Sequence, residues 1–251
     1  MRVKISLASS NKICLTTSYF SNIQALIYKM LDKVESQWLH DEGFKFEKRK
    51  FKLFVFSEIL EKAIFEKNLK KLIFPEKVTF YIASPVNWIL EQFAKNSILN
   101  NEFYLGSNKV VLRSIEVLKY PVLDKSEILI KTLSPIEVHS TLTSANGKNK
   151  TYYYYSPKEK EFSELINKNL QKKWESFYKE KCPYNLKIIP LRNYNYRQII
   201  LSLKKSVIKG WKGKFIIEGD IPLIKFAFDT GLGSRNSLGF GMIDIIKKKI
   251  F

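Results

Sequence analysis

Histidine and cysteine are scarce in this 251-residue chain, with two of each. Cys14 and Cys182 are too few to build a zinc site, and their number gives no sign of an oxidising compartment. Long apolar runs are missing too. The longest are a handful of residues, far short of the roughly 20 that a membrane-spanning helix needs. The opening segment "MRVKISLASSNK" lacks the apolar core of a secretory signal and alternates like a strand. Together these absences predict a cytoplasmic protein with no membrane partner.

Acidic residues are also in short supply. Asp and Glu number 24 against 43 Lys and Arg, a formal net charge of +19. Such a chain repels itself, and a polyanion is its natural partner. A generic lysine-rich surface would spread its charge evenly, whereas here the sign is uneven. From Lys181 to Ile217 there is no Asp or Glu, while Arg192, Arg197, Lys204 and Lys205 are among nine basic residues in that stretch. Tyr184, Tyr194, Tyr196 and Trp211 are interleaved with them. Cations for phosphates and rings for bases are the two ingredients of single-strand recognition. A second cluster, Lys45, Lys48, Arg49, Lys50 and Lys52, comes early in the chain.

Hydrophobic periodicity supplies the organisation. "RVKISLAS" reads as a strand, and "SNIQALIYKMLDKVE" as a helix that Ser21 could cap. "FKLFVFS" and "KVTFYIAS" follow as strands, "PVNWILEQFAKNSIL" as a helix, and "NEFYLGSNKVVLRSIEVLKY" as two strands or one bent hairpin. Near Tyr120–Ser126 the pattern restarts: strand "SEILIKTL", an aromatic strand after "GKNK", a long helix beyond Pro157, strand-like "NYRQIILSLKKSVI" and "KGKFIIEGD", a short helix, and a last strand "FGMIDIIKKK". The expected class is α+β, with two tandem ferredoxin-like (βαββαβ) domains at 1–122 and 123–251.

Four of the ten glycines fall in "GLGSRNSLGFGMI", Gly231–Ile243. Glycine at this density signals close backbone approach to a phosphate, a base or another strand. A dinucleotide fingerprint is a poor match, because "GLGSRN" departs from G-x-G-x-x-G at its last position and follows a helical segment. The stretch resembles the C-terminal glycine-rich motif of the RAMP superfamily (repeat-associated mysterious proteins), above all the endoribonucleases that cut precursor CRISPR RNA. "KTLSPIEV", "FYLGSNKVVLRSIEVL" and the N-terminal "LIYKM…LH…KLFVFS" are similar to other stretches of that family, so the resemblance runs from Met1 to about Lys247.

The resemblance implies two ferredoxin-like domains with the glycine-rich loop between them. It also implies metal-independent cleavage within each repeat, leaving a 2′,3′-cyclic phosphate and a 5′-hydroxyl, and no cofactor. The partner would be CRISPR repeat RNA, with a second copy of the chain and other CRISPR-associated effector subunits as further candidates. Arg235 and Asn236 would be placed for phosphate contacts, beside Lys45, Lys48, Arg49 and the basic residues of the 181–217 stretch. Family members that lose the active histidine serve as scaffolds, so a non-cleaving repeat-binding subunit is the alternative. A general RNA-binding module would instead show exposed aromatics on central strands, which "TYYYYS" could supply.

Cleavage by internal attack needs a base for the 2′-hydroxyl, an acid for the leaving 5′-oxygen and a cation for the phosphorane. His40 closes a helical stretch beside a basic loop. His139 sits on or beside a strand, where a structural role is the default. By resemblance Tyr28, His40 and Lys52 form the catalytic constellation, with Tyr28 as base, His40 as acid and Lys52 steadying the transition state. A phenol near its ordinary value of about 10 is a poor base at neutral pH, so Lys52 or Lys29 would have to lower it. Spacing adds a condition. Twelve residues along one straight helix separate Tyr28 and His40 by roughly 18 Å and about 120°. The helix must break, and Asp32–Gln37 is the expected place, with Ser36 capping a second helix. No carboxylate cluster suggests a two-metal nuclease, and Asp41 and Glu42 beside His40 do not chelate merely by adjacency.

Overall fold

Val3, Ile5 and Leu7 alternate along the Arg2–Ala8 strand and are buried, as one face of a pleated strand requires. In the computed structural model, which describes residues 1–99, 102–143, 150–203 and 206–246, this strand lies at the centre of a five-stranded antiparallel sheet. The order is Val55–Phe56, Lys77–Ala83, Arg2–Ala8, Asn108–Val117, Glu102–Leu105. A second antiparallel sheet has the order Leu186–Pro190, Lys214–Gly219, Glu127–Thr132, Ile243–Ile245. Leaving aside the Glu102–Leu105 edge, both sheets place their strands 2-3-1-4 in chain order.

Five helices complete the described α/β fold: α1 (Phe20–Lys29), α2 (Lys33–Asp41), α3 (Asn87–Leu99), α4 (Lys160–Tyr178) and α5 (Ile221–Thr230). In each half, helix follows the first strand and the third. Phe20, Ile23, Leu26 and Ile27 give α1 a single buried stripe. It starts at Phe20, so Ser21 lies inside the first turn and does not cap it.

Two segments that read as strands stay outside both sheets. Among the described residues Arg197–Leu203 pairs only with Ser206–Lys212, and the tyrosine-rich Lys150–Tyr154 only with His139–Thr143. The exposed rings of Tyr152 and Tyr153 therefore stand on a hairpin, away from the central strands that a general RNA-binding sheet would use. "FKLFVFS" is divided as well, into Arg49–Phe51 and Val55–Phe56, with Leu53 between them at a φ of 50°.

The two halves interlock. Arg2 reaches across, its Nη2 donating to the carbonyls of Phe228 (3.1 Å) and Ile243 (2.9 Å). The glycine-rich stretch packs against N-terminal residues. Phe240 packs 5.6 Å from Phe20 of α1, ring centre to ring centre. At Gly239 (φ +88°) a Cβ would lie 2.5 Å from the Phe56 ring, and at Gly241 (φ +84°) it would lie 1.9 Å from the Leu232 carbonyl oxygen. Only glycine fits either place. On the other side, buried Lys173 of α4 donates to the carbonyls of Gly231 (2.9 Å) and Gly233 (3.2 Å). These glycines approach the protein's own rings and carbonyls.

Candidate active site

The helix that carries Tyr28 does break. α1 stops at Lys29, and Asp32 takes an extended conformation (φ −61°, ψ 149°) before α2 begins. α3 braces the joint. Asn96 Nδ2 donates to the Met30 carbonyl (3.1 Å) and to Asp32 Oδ1 (3.0 Å), and Gln92 Oε1 accepts the Asp32 backbone N–H at 2.9 Å. The break thus falls at Met30–Asp32, the upstream edge of the expected window. Ser36 does not cap α2; its Oγ donates back to the Tyr28 carbonyl at 3.0 Å and ties the two helices together.

The turn brings Tyr28 and His40 edge to face, with ring centres 5.8 Å apart. His40 ends in the last turn of α2, where backbone carbonyls have no partner within the helix and carry the negative end of its dipole. Two lysines answer them. Lys52 Nζ donates to the His40 carbonyl, and Lys50 Nζ to that of Asp41 at 2.7 Å. Lys50 stands on the short hairpin Phe44–Phe46/Arg49–Phe51 and Lys52 directly follows it, which explains why a cation twelve residues beyond His40 stands beside it. An open cleft of about 700 Å³ is lined by Gln24, Tyr28, Lys29, Ser36, His40 and Asp41, among others.

Burial raises the Tyr28 phenol to about 12, and the neighbouring lysines do not offset it. The expectation that Lys52 or Lys29 lowers it is therefore not met. Burial also pulls the Lys52 ammonium below its ordinary value, with Lys50's charge adding to the effect. Asp41 is held below the usual carboxylate range, chiefly by its hydrogen bond to His40. Among the described residues no three His, Cys, Asp or Glu side chains gather as a metal site.

The other expected residues are more dispersed. Lys45, Lys48 and Arg49 stand exposed on the hairpin after α2, Lys45 in an ion pair with Glu42. Arg192 and Arg197 are exposed on the C-terminal half, and no described residue from 181–217 lines the cleft. Lys204 and Lys205 lie outside the described residues. The interleaved rings are largely occupied in packing: Tyr194 against Tyr196, Tyr196 against Phe215, Tyr184 against Trp174. Trp211 Nε1 donates to the Tyr155 carbonyl. Asn236 is a correction. Its side chain is buried, with Nδ2 donating to the carbonyls of Leu232 (3.0 Å) and Phe240 (2.8 Å), so it stitches the loop and is not open to a phosphate. Arg235 Nε lies 3.7 Å from Glu137, and its guanidinium stands 5.6 Å from the Tyr152 ring centre.

Sequence reading passed over Lys173, although its spacing marked it. Phe162, Ile166, Leu170 and Lys173 share the buried stripe of α4, so a lysine on that face had to find carbonyls.

A solved structure described as a RAMP protein binding different RNA substrates matches 98% of this chain and 100% of its own, with a TM-score of 0.81 and 23% identity. That likeness is one of fold. The family described as "CRISPR-associated protein Cas6, N-terminal" matches residues 12–116, and "CRISPR associated protein Cas6, C-terminal" matches 118–245. The CRISPR-associated endoribonuclease Cas6 1 of Methanocaldococcus jannaschii is 29% identical over 99% of this chain and 94% of its own length. The CRISPR-associated endoribonuclease Cas6 of Pyrococcus furiosus is 30% identical, over 77% of this chain and 70% of its own. This chain belongs to the Cas6 family of CRISPR-associated, RAMP-type proteins.

Proposed function

We propose that this protein is an endoribonuclease that cuts precursor CRISPR RNA within its repeats, by attack of a 2′-hydroxyl on the adjacent phosphorus and without a metal ion. One observation carries the reading: Tyr28 and His40, drawn from two helices, meet edge to face in one cleft, and Lys52 reaches the His40 carbonyl beside it. His40 as imidazolium gives its proton to the leaving 5′-oxygen, and Lys52 offsets the charge that builds on the phosphorane. The resemblance assigns Tyr28 the base's part. A phenol held near 12 keeps its proton at neutral pH, so we give it the orienting part, holding the 2′-hydroxyl in line while solvent takes the proton. The products are a 2′,3′-cyclic phosphate and a 5′-hydroxyl.

Lys45, Lys48 and Arg49, on the hairpin tied to α2, are suited to the phosphates beside the cut, and Arg192 and Arg197 to a longer path of RNA over the C-terminal half. The repeated 2-3-1-4 strand order supports tandem ferredoxin-like domains at 1–122 and 123–251, with the glycine-rich loop wedged between them. Incubation with repeat RNA in EDTA, with both new ends mapped, tests the function. Binding without cleavage, with or without Mg²⁺, would make the protein a repeat-holding scaffold.

A further inference from the structure

Asp41 follows His40 at the end of α2 and lines the same cleft. We propose that it is a positioning residue for His40, fixing the imidazole as its Nδ1–H tautomer and leaving Nε2 to serve the leaving oxygen. The role rests on the nuclease reading above. Asp41 Oδ1 lies 2.7 Å from His40 Nδ1. An ionised carboxylate only accepts, so the proton in that bond sits on the imidazole. Which ring nitrogen carries the proton is set by what the other faces, and here the partner is fixed on both sides. Gln37, one turn earlier on α2, hydrogen-bonds the Asp41 carboxylate, and Lys50 holds the Asp41 carbonyl. Lys52 holds the His40 carbonyl in the same way.

Proton accounting then closes. In the imidazolium both ring nitrogens carry hydrogen. As the 2′-oxygen bonds to phosphorus and the phosphorus–O5′ bond breaks, the Nε2 proton moves to O5′, and the 2′-hydroxyl proton goes to solvent. The histidine left behind is neutral with its proton on Nδ1, already facing Asp41. His40 and Asp41 side chains are 73% and 54% exposed in the free protein, where such a pair contributes little. RNA lying over the cleft removes that water and strengthens it.

Asp41→Asn keeps the shape and removes the obligate acceptor. In single-turnover cleavage of repeat RNA we expect its rate to fall about 10- to 100-fold, the range seen when a histidine's outer partner is lost, with Kd within about twofold of wild type. Asp41→Glu should recover part of the loss. Nitrogen-15 shifts of the neutral His40 ring give a second readout that needs no turnover: protonated Nδ1 in the wild type, and a move towards protonated Nε2 in Asp41→Asn. A wild-type rate in Asp41→Asn, or an Nε2-protonated ring in the wild type, overturns the proposal and leaves the nuclease reading standing. A wild-type protein that binds repeat RNA without cutting it removes that reading and the proposal with it.

Discussion

His40 and His139 each hold a carboxylate oxygen at Nδ1, at 2.7 Å from Asp41 and 2.5 Å from Glu137. Around them everything else differs. Asp41 is open to solvent, whereas Glu137 is wholly buried, and His139 is 19% exposed against 73% for His40. The rings of Tyr152 and Tyr154 close over His139 at 5.1 and 5.9 Å. Arg235 approaches the far oxygen of Glu137. That pair is a cross-link beneath the glycine-rich stretch, closed over by those rings. At His40 the lysines bind the backbone carbonyls, so the ring's outer edge stays free. A histidine–carboxylate pair is chemically ambiguous, and the free edge separates a reagent from a rivet.

Alanine at each histidine should pull the two apart. His40→Ala is expected to lower single-turnover cleavage by about 10³-fold, within the span of general-acid effects, with RNA affinity and Tm close to wild type. His139→Ala should leave the rate within about threefold and instead cost about 2–3 kcal/mol of stability, since it strips a buried carboxylate of its hydrogen bond. Thermal melts and cleavage assays on both variants check this. If His139→Ala abolishes cutting at unchanged Tm, the comparison is reversed.

Removing a cation aimed at developing phosphorane charge is worth about 10²-fold, and that is the loss expected for Lys52→Ala. Adding back an amine such as ethylamine should restore part of the rate if the loss is one of charge. Tyr28→Phe should cost less, about tenfold. A mechanism that required the phenolate as base would lose far more in this variant, about 10²- to 10⁴-fold. A loss near tenfold fits the orienting role, and one as deep as that of His40→Ala refutes it.

The smallest effect concerns the clasp on the glycine stretch. Burial lowers Lys173 from its ordinary 10.5 to about 7. Between those values the unfolded chain binds the proton and the folded one does not, so this group makes stability rise with pH from about 7 to 10.5. Lys173→Met should flatten that rise in Tm across pH 7.5–9.5, read by calorimetry against wild type.

Local pattern and spacing carried much of this. All the sheet strands except Leu186–Pro190, together with α1, α3, α4 and α5, show in periodicity, and the gap of roughly 18 Å between Tyr28 and His40 already demanded a break. Its position did not show, because Gln92 and Asn96, some 60 residues away, select Met30–Asp32. Lys52 reads as an outward strand residue until its hairpin folds back onto the end of α2. Glycine density was ambiguous for a physical reason: an absent Cβ admits a phosphate or a carbonyl equally well, and Leu232 and Phe56 occupy that space here. The tyrosines of 181–217 have stacking chemistry whether the second ring is a base or Phe215.

The central claim is that Tyr28, His40 and Lys52 together cut RNA by internal attack. The most direct measurement incubates the wild-type protein in EDTA with repeat RNA from its own locus, beside the same RNA bearing a single 2′-deoxy nucleotide at the cut. The account predicts one internal cut, a 2′,3′-cyclic phosphate facing a 5′-hydroxyl, and no cut in the deoxy substrate. Cleavage of the deoxy substrate, or cutting that appears only when Mg²⁺ is added, would contradict it.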